Sequence, residues 1–463
     1  MKKMETFSDC QELLAPAAAD LFAVGNTVYH GLGMWELVPA ATIVCLDDDD
    51  LQRRVQADGG QVFSLEERLQ KQNVIFRNTA KLLAQEEVIS FLKSRSDHPQ
   101  LYISKPIKRL EIMAGKFGWE LLGASSKLNK LFEDKVSFVK IMSAVGGDEI
   151  PREVCLIRKS RLESLGKKYG WPLAVQFSHG LAGAGTFFVE PDTLAEFVSQ
   201  HEGKEGVVAP KLAGRGKTIT LNACVLPQGV ILGAPFLQIS GVSYLNKNEG
   251  GTCGNDYGVN LEIDQQQRRQ VFEETMRIGE LMRKQGYRGL FGIDYVVGDK
   301  VWLIEVNARP PASVPTYTQG EHDRNEVSLL GLHLLDSLGI PFDIDIDKLN
   351  DQKFHALLKG SKLIFRNLTS EAVTFSQDFS AGVYEIGGQE EFEFNRPATS
   401  LTALQDDKEA LFWSVKSGKQ VNSNIELATL ILPRPATATD GNLSVKVSEL
   451  VAKLSKKLSS HAT

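Results

Sequence analysis

The segment GLFGIDYVVGDKVWLIEVNARPPAS, residues 289–313, constrains this chain more than any other stretch. Two apolar runs flank Gly298-Asp299, a dipeptide suited to a two-residue hairpin turn. Side chains alternate between the faces of a strand. If Val297 pairs with Lys300, then Asp294 lies opposite Leu303, and Asp294, Glu305, Asn307 and Arg309 project to one side. Ile293, Tyr295, Val297, Trp302, Ile304, Val306 and Ala308 project to the other, which is apolar. Asp294 and Glu305 become diagonal neighbours that one cation can bridge. Hard oxygen ligands beside an amide suit Mg²⁺ completed by phosphate oxygens and water, and Arg309 can grip a phosphate or carboxylate bidentately. The plain alternative is a sheet with one solvated, charged face. Against it stand the composition of that face, two acids, an amide and an arginine, and Pro310-Pro311, where the strand must stop. A three-residue turn would flip the register and dismantle the site.

The rest of the chain bounds what such a ribbon can belong to. At 463 residues, two to four domains are expected. With 52 Lys+Arg against 58 Asp+Glu and no long basic stretch, nucleic acid is a poor partner. No run approaches the roughly 20 apolar residues of a membrane span, and Glu5, Asp9 and Glu12 interrupt any secretion signal at the N-terminus. The five cysteines are odd in number and widely spaced, which suits reduced thiols and a cytoplasmic location.

Strands alternating with helices over residues 1–130 indicate a small α/β unit. There Ala40–Leu46 reads as a buried strand, residues 80–94 as a helix and Leu101–Ser104 as a short strand. The acidic run Asp47–Asp50 reads as a solvated turn rather than a holder of ribose or metal. LNKLFEDKVSFVKIMSAVGG, residues 128–147, reads as one helix ended by Gly146-Gly147. In WPLAVQFSHGLAGAGTFFVE, residues 171–190, a glycine-rich turn joins two apolar runs. Glycines there let backbone N–H groups wrap phosphate oxygens, yet the turn fits no dinucleotide fingerprint and GRGKT (214–218) is not a P-loop. VVAPKL (207–212) is a further strand, and Pro227-Gln228-Gly229 marks a hairpin between TITLNACVL and VILGAPFLQI. Residues 241–258 read as a long polar loop of the binding kind. Asp264 and Gln267 start a helix that faces the core with Val271, Thr275, Ile278 and Met282. Residues 326–340 read as a helix, 343–351 as an acidic linker, and the last 110 residues as short strands with a terminal helix.

Taken in order, a helix carrying Lys135, strand–Gly loop–strand at 173–189, VVAPKL, and the acidic hairpin ending Glu305-Val306-Asn307-Ala308-Arg309 resemble the ATP-grasp superfamily. Its hallmark is E-x-N-x-R with an acid one strand earlier. The resemblance covers roughly residues 130–340. It implies an α/β and α+β architecture: a small N-terminal α/β domain (1–130), an ATP-grasp domain (131–345, with a lid at about 150–212) and a small C-terminal α+β domain (346–463). It implies ATP and Mg²⁺ as cofactors, with two ions and Mn²⁺ as the alternative metal. Asp294 and Glu305 would hold one ion, and Glu305 with Asn307 a second. Arg309 would be catalytic, stabilising the transferred phosphoryl group. Lys135 would contact phosphate. His179, Gly180, Gly183 and Gly185 would belong to a loop covering the phosphates, and Lys211 and Leu212 to the hinge beside adenine. The chain departs from the family at two points. Gln176 stands where many members carry a second lysine, with Lys211, Lys217 or Arg215 as nearby cations, and Pro210 stands where many have an acidic hinge residue.

Most members of that superfamily phosphorylate a carboxylate from ATP and let an amine or thiol displace the phosphate. The resemblance therefore implies an ADP-forming carboxylate–amine ligase that works through an acyl phosphate. Its partners would be a small carboxylate and an amine, with residues 241–258 and 311–317 as acceptor elements. A homodimer could form through the N-terminal domain or residues 345–463. A small-molecule kinase on the same fold and a nucleotide-binding protein with little catalysis are the alternatives, and biotin-dependent carboxylation has no specific support.

Overall fold

The computed structural model describes residues 1–463 except 72, 74–75, 146–150, 179–184, 213, 215, 249, 259–262, 388–391 and 463. Near the N-terminus, β1 (Leu21–Val24), β2 (Thr42–Cys45), β3 (Gln61–Ser64), β4 (Gln100–Ile103) and β5 (Glu120–Leu122) form a parallel sheet in the order β3–β2–β1–β4–β5, with α1 (Tyr29–Leu37) between β1 and β2 in the chain. β1 and β2 are buried at every position, as unbroken apolar strands covered on both faces must be. The expected helix over 80–94 is two, Thr79–Leu83 and Glu86–Arg95.

The acidic run after β2 is not a solvated turn. Asp47 is 5 % exposed and Asp49 9 %. Both carboxylate oxygens of Asp47 accept from Arg77 (2.9 and 2.8 Å), and one also accepts from Lys419 (2.9 Å), some 370 residues away. Asp49 caps the following helix through the Gln52 N–H at 2.8 Å. Local sequence shows the charges; only the cations brought by distant segments bury them.

The single helix expected over 128–147 is also two, α2 (Ser126–Glu133) and α3 (Lys135–Val145). Asp134 between them is extended, and its carboxylate accepts the Ser137 N–H at 2.8 Å. A helix-capping acid thus overrides an apolar period that runs straight through it. The break puts Lys135 in the first turn of α3. The Gly146-Gly147 stop lies outside the described residues.

A four-stranded antiparallel sheet follows: β6 (Glu153–Leu156), β7 (Leu173–Gln176), β8 (Thr186–Val189) and β9 (Glu205–Pro210), in the order β6–β9–β7–β8. It has its own apolar cluster, including Leu162, Leu173, Val175 and Val208.

The largest layer is an eleven-stranded sheet. It contains β10 (Gly216–Val225), β11 (Phe236–Ser240), β12 (Thr252–Asp256), β13 (Gly289–Gly298), β14 (Val301–Asn307), β15 (Ser361–Arg366), β16 (Gly382–Ile386), β17 (Phe392–Pro397), β18 (Glu409–Ser414) and β19 (Glu426–Leu432), ordered β14–β13–β10–β11–β12–β15–β19–β18–β16–β17. The hairpin at 227–229 forms as expected, pairing β10 with Val230–Leu232. The run 230–239 then breaks at Gly233, where a Cβ would come within 2.5 Å of the Tyr317 hydroxyl. β12 runs through the expected loop 241–258, and pairing of β12 with β15 joins the last hundred residues to the same sheet. Residues 343–351 are not a linker: Asp345 caps a helix over Ile346–His355. The helix over Gln265–Lys284 starts at Asp264 and buries Val271, Thr275, Ile278 and Met282, as the pattern required. No helix of the described residues is long and apolar enough to cross a membrane.

Candidate active site

The β13–β14 ribbon departs twice from its simplest pairing, and the two departures cancel. Val297 pairs with Val301, so the turn has three residues, Gly298–Lys300, not two. Continued unchanged, this register would set Asp294 opposite Ile304 and send Glu305 to the core face. Instead the ladder shifts between Tyr295 and Asp294: Tyr295 pairs with Leu303 and Asp294 with Glu305, leaving Ile304 as an extra residue. Asp294 and Glu305 are therefore direct cross-strand neighbours rather than diagonal ones.

The same shift redistributes the apolar residues. Ile293, Tyr295 and Val297 pack in the core with Val301, Leu303, Val306 and Ala308. Trp302 and Ile304, expected on that face, lie on the site side with Val296, Leu212 and Ala209. The expected hinge residue Leu212 thus belongs to a small apolar patch next to the acids, a surface fit for a flat heteroaromatic ring.

Around the acids the polar groups form a connected chain. Thr220, opposite Asp294 on β10, donates to its Oδ1 at 2.6 Å, and Asn307 Nδ2 donates to its Oδ2 at 3.1 Å. Arg309 Nη2 donates to Asn307 Oδ1 at 3.1 Å, and Arg309 Nε to Glu133 Oε1 at 3.3 Å. Glu133, on α2, also accepts from Lys105 (2.5 Å) and Asn129 (2.6 Å). Asn129 in turn holds the Ala308 carbonyl at 2.9 Å. Burial alone would raise the Glu133 carboxyl, but Arg309 and Lys105 hold it below the usual range. Glu133 therefore stays ionised and aims Arg309. Lys135 Nζ lies 2.7 Å from Glu305 Oε2.

Asp294 is 8 % exposed. Burial first, and the Glu305 charge second, push its carboxyl up to about 7, against the hydrogen bonds from Thr220 and Asn307. Two facing carboxylates, one of them reluctant to ionise, thus meet beside the Lys135 ammonium. No cluster of three or more His, Cys, Asp or Glu able to hold a metal occurs among the described residues. Two carboxylates and an amide fit one hard divalent ion whose remaining positions are filled by phosphate oxygens or water.

The other expected residues divide. Gln176, at the end of β7, donates to Thr186 at 3.1 Å and lines one small cavity with Lys135, Arg152, Ile304 and Glu305. Lys211 has its ammonium 4.4 Å from the centre of the Phe188 ring. Gly185 is buried and its carbonyl accepts the Phe177 N–H at 3.1 Å. His179, Gly180 and Gly183 lie outside the described residues.

Arg152 was not foreseen from sequence. It precedes β6, donates to the Ile304 carbonyl at 3.3 Å and stacks on Phe138 at 6.0 Å. Beside Lys135 it is a second cation lining the Gln176 cavity; Lys211 and Lys217 are not in that lining, and Arg215 lies outside the described residues. Glu133, Thr220 and Asn129 were missed as well. Thr220 and Asn129 carry no local signal; Glu133 had one, its position two residues before Lys135.

No protein-family model and no curated protein sequence matches the chain. Solved structures do. The biotin carboxylase domain of 2-oxoglutarate carboxylase from Hydrogenobacter thermophilus, solved with MgADP and bicarbonate, aligns with a TM-score of 0.59 at 13% identity, over 90% of this chain and 86% of that one. N5-carboxyaminoimidazole ribonucleotide synthetase from Thermus thermophilus aligns at 0.56 and 13%, over 95% and 98%. Phosphoribosylamine–glycine ligase from Thermotoga maritima aligns at 0.54 and 14%, over 96% and 97%. At such identities the likeness is one of fold, and it runs nearly end to end in all three.

Proposed function

Starting from the ATP-grasp fold that this chain has, we propose that it is an ATP-dependent, ADP-forming ligase that joins a carboxylate to an amine through an acyl phosphate. The observation that carries the reading is the direct pairing of Asp294 with Glu305 in front of the Asn307–Arg309 hydrogen bond. A fold shared with enzymes of several chemistries does not choose the reaction; this constellation supports phosphoryl transfer.

Asp294, Glu305 and Asn307 would hold Mg²⁺, with Mn²⁺ as the alternative and Glu305 and Asn307 shared with a second ion. Bound there with ATP, such an ion would neutralise charge on the β and γ phosphates. Arg309, held by Glu133, faces the negative charge that gathers on the transferred group. Lys135 exchanges Glu305 for a phosphate. Arg152 supplies the cation that Gln176 lacks. Trp302, Ile304, Val296 and Leu212 offer the base an apolar wall. The cavity between the four-stranded sheet and α3 has a volume of about 10 Å³, room for one water. That cavity by itself is too small for a nucleotide, so binding needs more space between the four-stranded sheet and α3.

Nothing in the residues singles out bicarbonate as the acid, so biotin-type carboxylation is not adopted. The test is a panel of acid–amine pairs assayed with MgATP for ADP release, with mass detection of the condensed product. Activity is expected to need both substrates and to disappear in R309A and N307A. Product formation surviving both changes refutes the reading, and a phosphorylated product formed without any amine makes the protein a kinase.

A further inference from the structure

Lys362, on β15, is 3 % exposed. Its ammonium lies 3.6 Å from the centre of the Tyr29 ring, and among the described residues it has no hydrogen-bond acceptor and no ion-pair partner. The acid of the neighbouring strand β19, Glu426, is 3.7 Å from Arg366 instead. A buried charge without a counter-charge is expensive, and an aromatic face compensates only part of that cost.

The sheet register shows what Lys362 faces. Directly opposed residues of antiparallel strands share a face. Asn255 opposes Lys362, and Gln238 opposes Asn255. Two residues before Gln238 on β11 is Phe236, which opposes Thr220, the partner of Asp294. Glu305, Asp294, Thr220, Gln238, Asn255 and Lys362 therefore lie on one face of one sheet. Gln238 and Asn255 are half-buried, and neither side chain makes a hydrogen bond among the described residues. Tyr29 lies against the Lys362 end of the row. Its hydroxyl donates to the Ala312 carbonyl at 3.3 Å and pairs with Thr316 at 3.0 Å, both just beyond Arg309. Three residues before Tyr29, Asn26 Oδ1 is buried with no hydrogen-bond partner among the described residues.

We propose that Lys362 anchors an anionic group at the end of a substrate remote from its reacting carboxylate or amine, with Asn255 and Gln238 as hydrogen-bonding groups between. That this anion belongs to a substrate rests on the ligase reading above. Four strand steps separate β13 from β15, roughly 19 Å at ~4.8 Å each, so the class is an elongated molecule bearing a distal carboxylate or phosphate.

The test is calorimetric titration of the full chain, wild type, K362M and K362R, with glutarate, inorganic phosphate, neutral glutaramide and, separately, MgADP. One of the two anions is expected to bind the wild type and K362R, and K362M at least about tenfold more weakly. Which anion binds identifies the group. Glutaramide is expected not to bind, and MgADP affinity to be equal in all three proteins. Without ligand, K362M is expected to melt higher than wild type, because an uncompensated charge has been removed. The proposal is overturned if neither anion binds, if K362M binds them as wild type does, or if K362M melts lower, which would make Lys362 a purely structural partner of Tyr29. If MgADP binds none of the proteins while the anion result holds, the nucleotide reading fails and the anion site stands.

Discussion

The Lys135 ammonium sits 2.7 Å from Glu305, so the first turn of α3 is tied to the strand that carries the acidic pair. Both side chains keep partial exposure, 17% and 31%, so the pair adds little to stability. A phosphate would win the lysine by a charge-assisted hydrogen bond of about 1.5–3 kcal/mol. K135M is accordingly expected to weaken MgADP binding about 10- to 100-fold, with a melting temperature within a few degrees of wild type. Titration calorimetry with a melting scan on the same protein checks both halves.

Asp294 is a case of function set against stability. Its carboxyl is raised to about 7, from 3.8 for the free group. The folded chain therefore binds more protons than the unfolded chain between those values, and stability from this group is lost as pH rises through that window. D294N removes the penalty. It is expected to be more stable than wild type at pH 8, by on the order of 2–4 kcal/mol, to match it near pH 4, and to lose magnesium-dependent nucleotide binding. A variant no more stable than wild type at pH 8 would mean that Asp294 ionises without cost.

His333 is buried at 1 % exposure with no hydrogen-bond partner for either ring nitrogen among the described residues, wedged where Gly123 and Gly289 have no side chains. Burial pushes its pKa down to about 4, from 6.5. Here the unfolded state binds the extra proton, so stability falls as pH drops from 6.5 towards 4, by about 3 kcal/mol. Unfolding in urea across that range should show the loss, and H333L should remove that component. Equal slopes in the two proteins would refute the assignment.

Lys419 joins the two ends of the chain. It bonds Asp47 at 2.9 Å and Glu66 at 2.5 Å, all three nearly solvent-free. Taking away the ammonium removes a buried cation from Glu66 and from Asp47, which keeps only Arg77 as its cation, so K419M is expected to destabilise by about 3–5 kcal/mol. The same holds for K353M, whose lysine lies between Glu321 (2.9 Å) and Glu326 (3.1 Å). Chemical denaturation measures both; a change below 1 kcal/mol would show that these pairs behave like surface ones.

Legible in the sequence were the hairpin that carries Asp294, Glu305, Asn307 and Arg309, the cap at Asp264 and the buried strand after residue 40. These follow from local rules: alternation along a strand, the helical period, and the turn chemistry of Gly, Pro and Asp. It did not determine how the ribbon pairs. A turn one residue longer than expected would have turned Glu305 into the core, and the extra residue at Ile304 turned it back. That choice belongs to the tertiary structure, because register is decided by which side chains find apolar neighbours on the far side of the sheet. The same reason hid Arg152, the burial of Asp47 and the isolation of Lys362. A charge's environment is made by segments distant in the chain, and no spacing rule along the sequence encodes which of them will arrive.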